Sequence, residues 1–253
     1  MTKIILSGCC GTMGKVVSSC VKENPDCEIA AGIDVRPCPD AGYPVYKNAG
    51  EIAAKADVLI DFSNPSLLSL LIDFGQKTST PLVLCTTGYT KEQNEAIKEA
   101  SRTLPVFCSG NMSLGINLLV GLAKKAAAVL GDGFDIEIVE QHHNQKIDAP
   151  SGTALMIADG ISSALGKNMD YVYDRHSQRK KRGKTDIGIH SIRGGTIVGE
   201  HEVIFAGNNE VVKISHSAQS KSIFANGAIK AAVFLAGKPA GLYDMSDLLN
   251  EVK

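Results

Sequence analysis

The chain has no tryptophan and only 5% aromatic residues, so valine, isoleucine, leucine and alanine must fill its core. It has no charge excess: 26 Lys+Arg against 27 Asp+Glu leave a formal charge of −1 on 253 residues. That balance excludes a strongly basic nucleic-acid binder and a strongly acidic disordered chain. No Cys-x-x-Cys occurs among the seven cysteines at 9, 10, 20, 27, 38, 85 and 108. An odd count in a chain too large to need staples points to reduced, mostly buried thiols, with a zinc or redox role as the alternative. No apolar run is expected to approach the ~18–20 residues that span a bilayer. Met1-Thr2-Lys3-Ile4 enters a β-like run at once, without the charged and apolar regions of a signal peptide. The expectation is a cytoplasmic protein with no membrane and no nucleic-acid partner.

The layout that remains is periodic. Short apolar runs at 3–8, 28–34, 56–62, 81–86 and 105–108 read as buried parallel strands. Helical stretches are expected between them, roughly at 13–23, 49–55, 65–77 and 91–101, with Asn64 and Pro65 as a cap and first-turn signal. Beyond about residue 113 the rhythm changes. A helix over 114–130, a half-exposed strand at 135–140 and a helix from 150 to 165 precede alternating strands near 186–193, 200–206 and 210–216. Helices return at 224–235 and 245–249. The expected fold class is α/β: a Rossmann-like doubly wound parallel sheet plus a second α+β domain with an open mixed sheet. The expected division is 1–112 with 222–253 as a dinucleotide-binding domain, and 113–221 as a substrate-binding and oligomerisation domain.

Glycine is abundant, 25 residues or about 10% against a usual ~7%, and the first cluster carries chemistry. Gly8-Cys9-Cys10-Gly11-Thr12-Met13-Gly14 follows the first strand and opens the first helix. Such a loop brings backbone close to a pyrophosphate at a helix N-terminus, where N–H groups and the dipole hold anions. Twenty residues past Gly14, Asp34 ends the second strand, where an acid accepts ribose hydroxyls, and Arg36 follows where it can meet a 2′-phosphate. Both signals are present, so NADH and NADPH stay open, as does the reading of this pair as plain loop charges. Cys85-Thr86-Thr87-Gly88 ends a later strand on the ligand-binding edge of such sheets.

The densest chemistry is Glu140-Gln-His142-His143-Asn-Gln-Lys146-Ile-Asp148-Ala-Pro-Ser151-Gly152-Thr153-Ala154. Adjacent histidines on a strand point to opposite faces and rarely share an ion, so no metal is expected. A helix opening at Ser151, Gly152 and Thr153 can hold a carboxylate, Lys146 adds positive charge, and a histidine can act as general acid near neutrality.

This segment resembles the signature E-x-H-H-x-x-K-x-D-x-P-S-G-T-A of the dihydrodipicolinate reductase family, also called 4-hydroxy-tetrahydrodipicolinate reductase. The resemblance extends over the chain through the glycine loop, Asp61-Phe62-Ser63, Thr86-Thr87-Gly88, residues 111–117, residues 192–201 and residues 224–228. It implies NADH or NADPH held by Gly8 to Met13 and Asp34, with Thr86, Thr87, Gly88, Ser109, Gly110, Asn111 and Met112 along the nicotinamide half. It implies His142 as the acid–base residue and Lys146 as the proton donor. His143, Ser151, Gly152 and Thr153 would contact the carboxylates of a small dicarboxylate substrate. The implied reaction places a hydride on C4 of a cyclic dicarboxylic intermediate with loss of water, giving tetrahydrodipicolinate on the route to diaminopimelate and lysine. A homotetramer is implied as well.

The chain departs from the family pattern at Thr12, Val35 and Lys221, where arginine is frequent, and at Cys85, where glycine is frequent. The first two positions bear on NADPH preference; Lys221 lacks the bidentate fork of arginine. Cys85 either crowds the nicotinamide or packs. The basic run at 175–184 reads as a solvated loop that can steer a dianion, rather than a nucleic-acid patch. Two other readings remain: a Rossmann oxidoreductase for another small carbonyl or imine, and a nucleotide-binding redox sensor using Cys9 and Cys10.

Overall fold

The apolar runs of the first half become strands because both of their faces are covered. The structure is a computed structural model and describes residues 1–251. In chain order the first elements are β1 (Thr2–Ser7), α1 (Thr12–Lys22), β2 (Cys27–Ile33), β3 (Val45–Tyr46), β4 (Val58–Asp61), α2 (Leu68–Thr78), β5 (Leu82–Leu84), α3 (Lys91–Ala100) and β6 (Pro105–Cys108). Then come α4 (Leu114–Leu130), β7 (Asp135–His142), α5 (Gly152–Leu165), β8 (Asp170–Val172), β9 (Asp186–Arg193), β10 (Gly199–Ala206) and β11 (Val211–Ala218). The chain closes with α6 (Ser222–Leu235), β12 (Gly241–Tyr243) and α7 (Met245–Glu251).

Two compact units result: Met1–Leu114 with the segment from Lys221 onward, and Gly115–Ser220. The first is a seven-stranded parallel sheet in the order β12-β6-β5-β4-β1-β2-β3. The chain reverses its winding direction at β1, between β4 and β2, which is where open α/β sheets bind ligands. Alternate residues feed opposite cores. Ile4 and Leu6 pack with Phe107 and the alanine-rich face of α6, while Ile5 packs with Leu59, Leu84, Leu71 and Ile97. Each such buried isoleucine or leucine contributes ~1.5–3 kcal/mol. Gly227 lets α6 approach closely, since a Cβ there would stand 1.7 Å from the Met112 carbonyl oxygen.

The second unit is a mixed sheet in the order β11-β10-β7-β9-β8, with β10 antiparallel to β7 and β11 and the other pairs parallel. Residues of α4 and α5 cover one face, where Leu119, Ala123, Ile157 and Ile161 meet Ile136, Ile138, Val203 and Phe205. The other face carries Glu137, Glu202 and Lys213.

Three expectations are corrected. The stretch at 49–55 is not a helix; only a 3-10 turn forms over Ala49–Glu51. Leu114–Gly133 is, by length and composition, one helical stretch apolar enough to cross a membrane, contrary to the expected absence of such a run. It carries Lys124 and Lys125 side by side and packs Leu119, Ala123 and Ala127 into the second core. The basic run is not simply solvated. Arg175 contacts Glu137 at 2.7 Å and Asp186 at 3.2 Å, and Arg182 contacts Asp135 at 2.9 Å and Glu137 at 3.2 Å. These two arginines fasten the run to β7 and β9.

Candidate active site

In the first unit the glycine loop is built by close packing. Gly8 has φ +76°, a left-handed conformation that favours glycine. A Cβ at Gly8 would meet the Phe62 carbonyl oxygen at 2.5 Å, and one at Gly14 the Gly8 oxygen at 2.2 Å. Side chains are therefore excluded where backbone must approach a pyrophosphate. Gly11 is the N-cap of α1 and supplies no side-chain cap bond, so this helix end is shaped to receive an anion. Thr12 is exposed and Met13 half-buried at the same end, while Cys9 is buried.

Asp34 closes this site. Its carboxylate accepts the Cys10 N–H at 2.9 Å, the Arg36 N–H at 3.0 Å and the Arg36 Nε–H at 3.3 Å. Burial alone would raise its pKa, but the hydrogen bonds from Arg36 and Cys10 outweigh it and the net shift is downward. An ionised carboxylate is the acceptor that ribose hydroxyls require. Arg36 lies against it, its side chain largely exposed.

The other cofactor candidates behave unequally. Thr87 and Gly88 are exposed on the carboxyl edge of the sheet, with Gly88 at φ +84°. Ser109 and Asn111 form a local turn: the Ser109 hydroxyl donates to the Asn111 carbonyl at 2.9 Å, leaving Gly110 exposed. Thr86 turns inward and donates its hydroxyl to Asp61 at 2.6 Å; the other carboxylate oxygen of Asp61 accepts from the Ser63 N–H at 3.2 Å. Buried Asp61, which sequence reasoning left without a role, thus ties two edge loops together. Cys85 and Met112, also in the expected cofactor set, present no exposed side chain at this edge. Both side chains are buried in the core with Phe107, so Cys85 packs and does not crowd a ligand.

The thiols of the glycine loop do not suit redox sensing. Burial, first, and neighbouring negative groups push both Cys9 and Cys10 above the ordinary thiol range. Reactive sensor cysteines need the opposite shift.

In the second unit Glu140 organises the signature segment. It is fully buried near the end of β7 and receives Arg193 in a bidentate pair, with Nη1 at 2.8 Å and Nη2 at 2.7 Å. The same carboxylate meets His142 Nδ1 at 2.6 Å and the Ser151 N–H at 3.2 Å. Burial raises the Glu140 pKa, but Arg193 first and then the other donors bring it down to about 2. With Nδ1 committed to Glu140, His142 keeps Nε2 for chemistry. Burial, and then nearby Lys146 and Arg193, lower its pKa despite the carboxylate. Gly199 makes room for this ring, because a Cβ there would stand 3.2 Å from His142 Nε2.

Lys146 lies in the loop after β7, its Nζ 2.9 Å from Asp148. His143 is half-buried at the strand end, and its carbonyl accepts the Lys146 N–H at 3.2 Å. Gly152 and Thr153 hold the first two positions of α5, from which helices present N–H groups to carboxylates. Ser151, the third residue of the expected carboxylate contacts at this helix start, already has partners within the protein. Its N–H is engaged by Glu140, and its hydroxyl accepts the Ala154 N–H at 3.2 Å and lies 3.0 Å from His201 Nε2. It caps the helix from a buried position.

Sequence reasoning gave no role to Glu140, Arg193 or His201. Arg193 and His201 were within quoted motifs, but their partners lie 53 and 50 residues away, beyond any local signal. His201 is 4% exposed and stacks edge-on against His142 at 5.3 Å. Its Nδ1 has no partner among the described residues. Burial, reinforced by His142, lowers its pKa to about 4. Its folded pKa lies below an unfolded value of ~6.5, so the unfolded chain binds the proton first and stability falls as pH drops from ~6.5 to ~4. The loss approaches ~3 kcal/mol. His142 and His216, shifted the same way, steepen it. A urea-denaturation series between these limits is expected to show that slope, and His201→Gln to flatten it; an unchanged slope would remove His201 as its main source.

Residues 2–112 match the family model described as dihydrodipicolinate reductase, N-terminus, and residues 115–249 match its C-terminus. The chain is 53% identical over 251 residues to the 4-hydroxy-tetrahydrodipicolinate reductase of Caldanaerobacter subterraneus, covering 99% of each. It is 48% identical to that of Staphylococcus aureus, covering 97% of this chain and 100% of the other. Among solved structures, dipicolinate-bound dihydrodipicolinate reductase from Paenisporosarcina shares the fold with a TM-score of 0.81 at 24% identity, over 96% and 97% of the two chains. A probable dehydrogenase from Thermotoga maritima follows at 0.65 and 12%, over 97% and 92%. On both halves of its sequence, this chain belongs to the dihydrodipicolinate reductase family.

Proposed function

We infer that the chain reduces 4-hydroxy-tetrahydrodipicolinate, with loss of water, to tetrahydrodipicolinate in the diaminopimelate route to lysine, using NADH or NADPH. The observation that carries the reading is the assembly of Glu140, His142, Lys146 and the N-terminus of α5 within one unit. A small dianion requires positive charge and free helix N–H groups, which Lys146 and the N-terminus of α5 supply, and reduction requires a proton source, which Lys146 and the Glu140-held His142 supply.

Bound NAD(P)H supplies the hydride. The glycine loop suits its pyrophosphate, because the cradle excludes any Cβ at Gly8 and Gly14, and Asp34 suits the adenosine ribose. Thr87, Gly88 and Gly110 offer backbone on the same sheet edge. In the second unit, Gly152, Thr153 and His143 hold the substrate carboxylates. Lys146 leaves Asp148 to face the dianion, gives a proton to the reduced ring and recovers one from water. His142, neutral and fixed by Glu140, presents Nε2 to orient the ring and to share that proton. The net change is one water lost, one hydride and one proton gained.

The open face of the second sheet, with Ile192 and Val211 exposed, supports a homotetramer, and the biosynthetic role supports a cytoplasmic location. The test couples the protein to the upstream synthase with pyruvate and aspartate semialdehyde while NADH or NADPH absorbance is followed. Oxidation above background is expected. No oxidation with either cofactor would overturn the assignment. Relative kcat/KM for the two reports which contact at Arg36 and Asp34 matters more.

A further inference from the structure

A cluster of sulfur ligands lies behind the glycine loop, and the reduction has no use for it. Cys9 Sγ and Cys10 Sγ are 3.8 Å apart. These sulfurs and a carboxylate oxygen of Asp34 all lie within 4.8 Å of one another. Cys38, from the loop after β2, lines the same cavity as Cys10, outside the three ligand atoms clustered within 4.8 Å. A cavity of about 460 Å³ opens onto the cluster, lined by all three cysteines together with Lys15, Arg36 and Tyr43.

Packing explains only part of this. Cys9 is buried in the first core, but Cys10 and Cys38 are half-buried at the cavity wall. The turn itself requires glycine at positions 8 and 14 and places no demand for sulfur between them. Two thiolates bound tetrahedrally to a zinc-sized ion at ~2.3 Å stand about 3.8 Å apart, the separation already present. Thiolate sulfur selects soft and borderline cations over magnesium or calcium. Each Asp34 oxygen retains acceptor capacity beyond its N–H partners. Lys15 and Arg36 offset the negative charge that a set of thiolates and a carboxylate would bring.

We propose that Cys9, Cys10 and Asp34, with Cys38 drawn in from the cavity wall as fourth ligand, bind a thiophilic divalent cation of the zinc and cadmium class in competition with the dinucleotide. As each sulfur–metal bond forms, the thiol releases its proton to water, so binding strengthens as pH rises. Competition follows from shared Asp34: a carboxylate that ligates the cation no longer accepts ribose hydroxyls. The coupling is reciprocal, so cofactor weakens cation binding by the factor that cation weakens cofactor binding. The competition rests on the cofactor site proposed above; cation binding by itself does not.

The test titrates the untagged full-length protein with Co²⁺ under anaerobic, reducing conditions. Near one equivalent, thiolate-to-cobalt charge-transfer absorption is expected, and Zn²⁺ or Cd²⁺ should displace it. Cys10→Ser should abolish the band. Cys38→Ser, at a half-buried loop position, should weaken Co²⁺ binding at least tenfold and serves should Cys10→Ser not fold. Saturating NADH should raise the apparent Kd for Co²⁺ at least tenfold. Absence of the band, or an unaltered band in both variants, overturns the site. A band indifferent to NADH overturns the competition, provided NADH fluorescence shows that the cofactor binds. Failure of NADH to bind in that control counts against the cofactor reading instead.

Discussion

Glu140→Gln is expected to lower kcat ~10- to 100-fold, the usual loss when a partner that orients a reacting histidine is removed. It should also cost ~3–5 kcal/mol of stability, because the largely buried Arg193 guanidinium loses its bidentate counter-charge. The substitution preserves shape, but it removes the charge and turns one acceptor oxygen into an NH2 donor. His142 Nδ1 keeps an amide acceptor in place of a carboxylate, and the Ser151 N–H that anchors α5 loses an ionised partner. The pH dependence should change in a defined direction. The Glu140 pKa falls to about 2 in the fold, below the ordinary carboxylate value of ~4.5, so its stabilisation is present above ~4.5 and lost as pH falls toward 2. The glutamine variant should lack that acid-induced loss. Urea midpoints at several pH values, with steady-state kinetics, separate the two effects. Wild-type stability with reduced kcat would make Glu140 a reaction-specific group and no keystone of the fold.

Lys146→Ala is the second large effect: kcat is expected to fall about 100- to 10,000-fold, the range for a positioned acid or base. Affinity for NAD(P)H should stay nearly unchanged, since no proposed cofactor contact involves this loop. Lys146→Arg should not restore activity, because a guanidinium holds its proton too tightly to deliver it. The split between parameters decides the role. A raised KM with intact kcat would leave Lys146 as a carboxylate anchor only. Loss of cofactor binding would contradict the assignment. Lys146 pairs with Asp148, whose side chain is 61% exposed. An arriving dianion therefore displaces a partner that solvent already screens.

Much of the fold was legible because its signals are local. Gly8 and Gly14 flank a strand-to-helix turn, Asn64 caps its turn by accepting the Ser66 N–H at 3.0 Å, and the both-face apolar runs became central parallel strands. The strands that escaped detection, β3, β8 and β12, have two or three residues each. So short a segment shows no period, and its pairing partner supplies the ladder that makes it a strand. The stretch at 49–55 showed the converse error, a helical composition without enough tertiary support to extend beyond one turn.

For the site, the sequence by itself determined which chemistry was present: a phosphate-type glycine loop, an acid after the second strand, and His142, His143 and Lys146 beside a helix start. These groups lie within single loops, so spacing fixes their company. Only the tertiary structure decided what state each group is in. Register across β7, β9 and β10 brings Arg193 and His201 to the signature segment from some fifty residues away. That settles which His142 nitrogen is engaged, withdraws Ser151 into the helix cap and places Arg175 and Arg182 on Glu137. The same folding sends Cys85 into the core and sets Cys38 on the same cavity wall as Cys10. The physical reason is common to all of them: burial and opposite charge shift a group's protonation and reach, and both are properties of neighbours that the chain acquires only when distant strands align.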